Sequence, residues 1–225
     1  MPRIARIVAV GLPHHITQRG NYKQEIFCDE SDRREYLNYI AEEIQKYKVK
    51  VLAYCLMKNH VHFIAVPEEE TSIGNVFKYA NMRYSLYFNR KRGVGGHLFQ
   101  GRFFSSIMDE KHTLVCARYI ERNPVRAKIL KEPVAWQWSS ARVHCGNDFN
   151  DFLGVNKLFN YIEIPKHEWK KFISEDDAET DIKEIKEQTR KGRPMASIEI
   201  MRKIEERLNR KLLVKPRGRP KTKNK

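Results

Sequence analysis

The chain has 225 residues, of which 41% are hydrophobic, and it carries a formal net charge of +15. This length and composition predict a folded protein with one good core and a smaller appendage. No apolar run has the length of a membrane span, the first residues lack the apolar core of a signal peptide, and the 4 cysteines are too widely spaced for a zinc ribbon. We therefore expect a reduced, cytoplasmic protein and exclude membrane proteins and disulfide-rich secreted proteins.

The positive charge increases toward the C-terminus. Residues 190–225 contain 14 Lys or Arg against 3 Glu, whereas residues 174–189 contain 7 acidic and 2 basic side chains. A basic chain with a very basic tail favours a polyanionic partner, because each phosphate that it neutralises releases counterions. Solvated surface lysine is the alternative explanation.

Hydrophobic periodicity predicts a strand, a helix, two adjacent strands, a second helix, a fourth strand and a third helix, in that order. The strands are predicted at residues 12–19, 49–56, 60–66 and 98–108, and the helices at 31–47, 72–87 and 110–123. The first six elements have the split βαβ order of ferredoxin-like domains. We therefore predict an α+β fold in which helices cover one face of an antiparallel sheet and the other face is free for ligand.

Two histidines, separated by one residue, distinguish the third predicted strand. His60 and His62 flank Val61, and because side chains alternate along a strand, the two imidazoles share one face. Neutral imidazoles that converge in this way suit a metal ion. Two hydrogen-bonded histidines at the surface of a sheet are the ordinary alternative.

The third predicted helix carries Tyr119 and, four residues later, Asn123, so that both lie on one side of it. Leu114, Ala117 and Ile120 lie round the other side and would pack on the sheet, which predicts that Tyr119 points away from the core. A surface tyrosine and a helix-end cap are the ordinary alternatives. A metal ion bound by the two histidines, however, could offset the charge of a phosphate that the tyrosine hydroxyl attacks. Tyr119 is therefore a candidate nucleophile.

Helical periodicity returns after an unassigned stretch at residues 146–170, first at residues 175–187 and then at 197–212. We divide the chain into a domain of residues 1–145, a helical and basic extension of residues 146–213, and a disordered basic tail of residues 214–225. The core of the tail, residues 216–220, resembles an AT-hook, in which Arg217 and Arg219 would enter an A·T-rich minor groove. A generic basic tail is the alternative.

Five ordered sequence blocks surround these candidate residues. They are residues 13–21, 53–57, 99–103, 119–127 and 136–141. Together with the His-hydrophobe-His signature of HUH endonucleases at residues 60–62, they resemble the REP-associated tyrosine transposases, which are relatives of the single-tyrosine insertion-sequence transposases. The resemblance covers roughly residues 3–145.

This resemblance implies a single-stranded DNA endonuclease and strand transferase that acts at hairpin-forming palindromic repeats through a covalent 5′-phosphotyrosine. Tyr119 matches the nucleophile of the family, and His60 and His62 match its metal ligands. Asn123 falls at the position of the third ligand, where the insertion-sequence relatives have glutamine. The implied ion is Mg²⁺ or Mn²⁺. Mg²⁺ prefers oxygen ligands, so two imidazoles favour Mn²⁺.

Charge and position within the similar blocks make Arg19, Asn21, Arg102 and Arg126 candidate DNA contacts. Their alternative roles are solubility and capping. We expect single-stranded and hairpin DNA as partners and a monomer rather than a dimer, the latter remaining open. Two other functions also remain open: a non-catalytic nucleic-acid-binding protein on the same fold, and a metal hydrolase that uses activated water while Tyr119 is only structural.

Overall fold

A computed structural model describes residues 6–148, 150–209 and 211–212 of the chain. Its centre is a four-stranded antiparallel sheet in the order β2-β3-β1-β4. The strands are β1 (His14–Arg19), β2 (Val49–Met57), β3 (His60–Pro67) and β4 (Phe104–Ile107). The predicted α+β fold and antiparallel sheet are thus confirmed, and the strand that carries the histidine pair is central. The predicted tail, with Arg217 and Arg219, lies outside the described residues.

Eight α-helices are found in the described part of the chain. They are α1 (Glu30–Lys46), α2 (Ser72–Arg92), α3 (Glu110–Glu121), α4 (Asn123–Arg126), α5 (Ala141–His144), α6 (Trp169–Ser174), α7 (Glu179–Lys191) and α8 (Ile198–Leu208). Local signals explain their ends: a capping box of Asp29 and Asp32 begins α1, and left-handed Gly93 ends α2. None of the described helices is long and apolar enough to cross a membrane. All four cysteines are free thiols.

Strand β4 is shorter than the predicted strand at residues 98–108. Gly101 has a φ of 133°, a conformation that interrupts the pleat of a strand. The segment before it still follows the edge of β1, because the Gln100 amide donates to the Arg19 carbonyl at 2.9 Å.

Both faces of the sheet are buried. One face packs against α1 and α2 through side chains such as Phe63, Tyr36 and Phe77. The second face, expected to be free for ligand, is covered over much of its area by α3 and by helices of the C-terminal extension, with Ile64 and Trp169 in this core. The physical reason is that β3 is apolar on both sides, so two layers of cover are needed to bury it.

The extension is attached along the free edge of β4. Met195 forms a parallel bridge with Met108, and its amide donates to the carbonyl of Ile107 at 2.8 Å. The Asp109 side chain caps α3 by accepting from the His112 amide and also accepts from the Ser197 amide at 2.9 Å. This pairing directs α7 back over the sheet.

A buried polar cluster links the extension to the far end of α3. The carboxylate of Glu121 accepts hydrogen bonds from the Ser140 hydroxyl at 2.5 Å, from Nδ1 of His144 at 2.5 Å and from the indole Nε1 of Trp169 at 2.8 Å. Nε2 of His144 donates to the Val155 carbonyl at 3.0 Å. The cluster therefore holds residues before and within the unassigned stretch of residues 146–170 against one helix.

Candidate active site

The part of the second face that the helices leave open is a cleft of about 670 Å³. Strands, helices and the extension all contribute to its walls. Strands β1 and β3 supply His15, Thr17, Arg19, His60 and His62, helices α3 and α4 supply Tyr119, Asn123 and Arg126, and α7 supplies Lys186, Thr189 and Arg190. The cleft combines imidazoles, a phenol and four cationic side chains.

His60 and His62 face the cleft together, as strand alternation predicts. In the pairing of β3 with β1 they lie opposite Arg19 and Thr17, and their ring centroids are 5.1 Å apart. His62 is buried, whereas His60 is half-buried at the rim. The two rings are close enough to bind one ion.

Hydrogen bonds occupy one nitrogen of each ring. Nδ1 of His60 lies 2.6 Å from Oδ1 of Asn59, whose amide is oriented by donating from Nδ2 to the Lys23 carbonyl. Nδ1 of His62 lies 2.9 Å from Nε2 of His15. Since an amide oxygen only accepts, Nδ1 of His60 carries the hydrogen and its Nε2 keeps a lone pair. In both rings Nε2 is the nitrogen that these hydrogen bonds do not use.

The environment of the cleft keeps these rings neutral. Burial, together with the positive charge of Arg19 and Arg126, lowers the pKa of His60 to about 4, and burial lowers the pKa of His15 to about 3. Burial also lowers the pKa of His62 well below its usual range. Neutral imidazole is the form that binds metals.

Asn123 lies where α4 begins, just before Pro124, and its amide Nδ2 is 3.5 Å from Nε2 of His60. A half-turn of this amide exchanges its nitrogen for its oxygen, which is a possible third ligand. Within the described ranges, no group of three or more His, Cys, Asp or Glu side chains could hold a metal ion. An ion would therefore depend on two imidazoles and one amide, a donor set without charge that fits Mn²⁺ better than Mg²⁺.

Tyr119 is buried in the wall of the cleft, so the prediction that it points away from the core is wrong. Its ring lies edge-on to His62 at 5.7 Å and beneath the Arg126 guanidinium, which is 3.9 Å from the ring centroid. Helix α3 docks through Cys116 and Ile120, and the extension covers its other side. Because two layers enclose the helix, a side chain that would otherwise be solvated is enclosed.

Two opposing effects act on the Tyr119 hydroxyl. Burial raises its pKa above the usual value, while the charge of Arg126 and its hydrogen bond lower the pKa in part. The phenol is therefore protonated at neutral pH, and Arg126 is placed to stabilise the phenolate.

A carboxylate from the acidic segment orients Arg126. Asp177 is 4% exposed and accepts from Arg126 at 2.9 Å and from Nε of Arg122 at 3.3 Å. Arg118, one turn earlier, lies 3.6 Å from the same carboxylate. The acidic segment thus neutralises a row of arginines spaced four residues apart on α3 and α4.

The predicted DNA contacts are distributed over different surfaces. Arg19 and Arg126 lie in the cleft. Asn21 lies in a short 3₁₀ turn beside the C-terminal end of α2, and Arg102 lines a separate groove of about 510 Å³ between α2 and residues 96–103. Arg217 and Arg219 are among the residues that are not described.

Sequence reasoning did not assign several residues that line the cleft, among them His15, Lys186, Thr189 and Arg190. The alternation of His15, Thr17 and Arg19 along β1 was a signal that could have identified His15. No comparable signal exists for the residues of α7, because their position depends on the pairing of the extension with β4.

Comparisons with known proteins bear on the family and the fold of the chain. A family model described as "Transposase IS200 like" matches residues 9–123, which is half of the chain. The search of curated protein sequences found no match to this chain. A solved structure of a REP-associated tyrosine transposase bound to a REP hairpin aligns with a TM-score of 0.56 at 17% identity, over 68% of this chain and 90% of that one. A Deinococcus radiodurans protein described as a transposase aligns with a TM-score of 0.38 at 16% identity, over 54% and 97%.

Proposed function

The chain belongs to the IS200-like transposase family, and on that premise we propose that it is a metal-dependent endonuclease and strand transferase acting on single-stranded DNA. The observation that carries the proposal is the shared cleft of Tyr119, His60 and His62, whose neighbouring rings are 5.7 and 5.1 Å apart. A phenol beside two neutral imidazoles provides a nucleophile and a metal site for one phosphodiester.

The proposed substrate is a DNA hairpin with an adjacent single strand. The net charge of +15 favours a polyanion, and the similar solved structure is described as bound to a REP hairpin. Arg19, Lys186 and Arg190 would contact phosphates at the rim of the cleft, since all three are exposed there. We propose that the protein acts as a monomer.

In the proposed reaction, the oxygen of Tyr119 attacks the scissile phosphorus after its proton passes to water. A bond forms between that oxygen and the 5′ phosphate, the bond from the phosphorus to the 3′ oxygen of the preceding sugar breaks, and this oxygen takes up a proton from water and leaves as a free 3′ hydroxyl. A 3′ hydroxyl then attacks the phosphotyrosine, which rejoins the strand and restores the phenol. Arg126, stacked on the Tyr119 ring, would stabilise the phenolate before attack.

Nε2 of His60, Nε2 of His62 and the amide oxygen of Asn123 would hold the ion, Mn²⁺ or Mg²⁺. The ion would polarise the scissile phosphate and offset its charge. Because these three ligands are neutral, they would leave the positive charge of the ion to act on the phosphate.

One observation favours a second candidate, a DNA-binding protein without catalysis. The described residues add no carboxylate to the histidine pair, and the amide of Asn123 presents its nitrogen to His60 at 3.5 Å. In that case the cleft would bind the strand but not cut it.

A labelled-strand assay separates the candidates. A 3′-labelled single strand containing a hairpin is incubated with Mn²⁺ or Mg²⁺ and with wild type, Tyr119→Phe or His60→Ala, and is analysed on a denaturing gel. The proposal expects a covalent adduct for wild type that both variants lose. Cleavage by Tyr119→Phe would identify a hydrolase that uses water, and binding of several hairpins without cleavage by wild type would identify the binding protein.

A further inference from the structure

His15 connects the candidate metal ligand His62 to the C-terminal extension. Its Nε2 lies 2.9 Å from Nδ1 of His62, and its Nδ1 lies 2.7 Å from the hydroxyl Oγ1 of Thr189 in α7. His15, His62 and Thr189 are 1%, 6% and 2% exposed. The rings of His15 and His62 are nearly parallel, with an interplanar angle of 8°. This is a buried hydrogen-bonded chain of three side chains that begins outside the residues matched by the family model.

The three hydrogen-bonded side chains can hold their protons in two arrangements. Each neutral ring carries one hydrogen, and only one hydrogen fits between the two facing nitrogens. Either both rings carry it on Nδ1, so that Thr189 accepts from His15 and Nε2 of His62 has a lone pair, or both carry it on Nε2, so that Thr189 donates. Only the first arrangement lets His62 bind an ion.

The residue that ends the hydrogen-bonded series, Thr189, decides which proton arrangements are possible. A hydroxyl both donates and accepts, so Thr189 satisfies His15 in either form by rotating its O–H bond. His60 differs, because the oxygen of Asn59 only accepts and fixes the ring in the metal-binding form. One ligand is therefore fixed, and the other can change with the occupancy of the site.

We propose that Thr189 and His15 are positioning residues that bring His62 into its metal-binding tautomer when an ion enters the cleft. The inference rests on the metal site of the proposed function. Ion binding selects the arrangement with Nδ1–H on both rings, and Thr189 accepts the hydrogen bond that terminates it. The extension is then part of the metal site without supplying a ligand.

Mn²⁺ titration followed by the electron paramagnetic resonance of the free ion tests this role. Thr189→Val keeps the shape of the side chain and removes the hydroxyl, which leaves Nδ1–H of His15 buried without an acceptor. We expect Mn²⁺ affinity to fall about tenfold, the lower end of the usual loss for such a neighbour. Thr189→Ser retains the hydroxyl and should stay within about threefold of wild type. Equal Mn²⁺ affinity of wild type and Thr189→Val would overturn the proposal.

Nitrogen-15 NMR of the histidine rings gives a readout that is independent of affinity. In the Mg²⁺-saturated protein we expect Nδ1–H on both His15 and His62. His14 is the internal control, because its Nδ1 donates to the Leu12 carbonyl at 2.8 Å and its Nε2 accepts from the Ala9 amide at 3.2 Å. A hydrogen on Nε2 of His15 in the loaded protein would overturn the proposal.

The same spectra distinguish failure of the proposal from failure of the metal site. If wild type binds neither Mn²⁺ nor Mg²⁺, the metal site of the proposed function is rejected. The coupling between the tautomers of His15 and His62 is then tested in the metal-free protein. Matching tautomers of His15 and His62 would support a coupled pair, and opposite tautomers would overturn it.

Discussion

Two histidine clusters contact α3, one through Glu121 and the other through Tyr119, and they differ in which ring nitrogens have hydrogen-bond partners. In one, His144 has Glu121 on Nδ1 and the Val155 carbonyl on Nε2, and the ring is fully enclosed. In the other, His60 and His62 line a cleft and each has a partner on Nδ1, and Nε2 of His60 lies 3.5 Å from the amide nitrogen of Asn123. Both clusters are polar and buried, but only the second has unused coordinating capacity.

The difference teaches how to separate a structural histidine from a candidate ligand. Both nitrogens of His144 are taken up by hydrogen bonds, Nδ1 with the Glu121 carboxyl group and Nε2 with the Val155 carbonyl. The cleft rings have no carboxylate partner and are neutral. The first arrangement stabilises the fold because every polar atom is satisfied, and the second leaves a lone pair for a ligand.

The largest expected effect is on the cleft. Tyr119→Phe removes the proposed nucleophile while it keeps the ring between His62 and Arg126, so strand cleavage should fall more than about 1,000-fold. Single-turnover cleavage of a labelled hairpin strand measures this, with the binding affinity for the same strand as the control. Cleavage at a rate near that of wild type would remove Tyr119 from the mechanism.

In the cluster around His144, by contrast, we expect a substitution to affect the stability of the fold. Glu121→Ala leaves Nδ1 of His144, the Ser140 hydroxyl and the Trp169 indole without their buried partner, so the free energy of unfolding should fall by about 3–5 kcal/mol. Urea denaturation measures the change. The matched variant His60→Ala should lower the free energy of unfolding by less than about 1 kcal/mol, since His60 is only half-buried. Equal losses in the two variants would erase the distinction between the clusters.

Acidification should weaken the fold through the neutral histidines. Burial lowers the pKa of His14 to about 4 and that of His15 to about 3, both below the unfolded value of 6.5. The unfolded chain therefore binds more protons below that value. Each ring contributes stability that is complete above pH 6.5 and is lost as the pH falls toward the folded pKa, at about 1.4 kcal/mol per pH unit. Urea denaturation at pH 7, 6 and 5 checks this, and His14→Gln should give a shallower slope.

The smallest effect concerns the rim of the cleft. If Lys186 and Arg190 each contact a phosphate, the double alanine variant should bind single-stranded DNA about tenfold more weakly, and the slope of log affinity against log salt should decrease by about 1.4. Fluorescence anisotropy over a range of salt concentrations measures both. Lys183→Ala is the matched control, because Lys183 is exposed on the same helix but does not line the cleft. Equal losses in this control would indicate a nonspecific charge effect.

Local sequence signals were sufficient for the sheet and for part of the site. Alternation along one strand put His60 and His62 on a common face, and the element order predicted the antiparallel sheet, because both depend on residues that are close in the chain. The exposure of Tyr119 was predicted wrongly, since helical periodicity does not reveal a second layer of cover. Asn21 and Arg102 lie in grooves outside the cleft.

Residues close in the chain were therefore enough to predict the four strands and the first three helices, the face that carries the histidine pair, and the strongly basic character of the chain. Only the tertiary structure decided that the extension covers the second face, that Asp177 holds Arg126, and that Thr189 contacts His15 from 174 positions away. The physical reason is that periodicity and capping act over a few residues. Contacts between distant segments depend on how apolar faces are buried together, which local patterns do not encode.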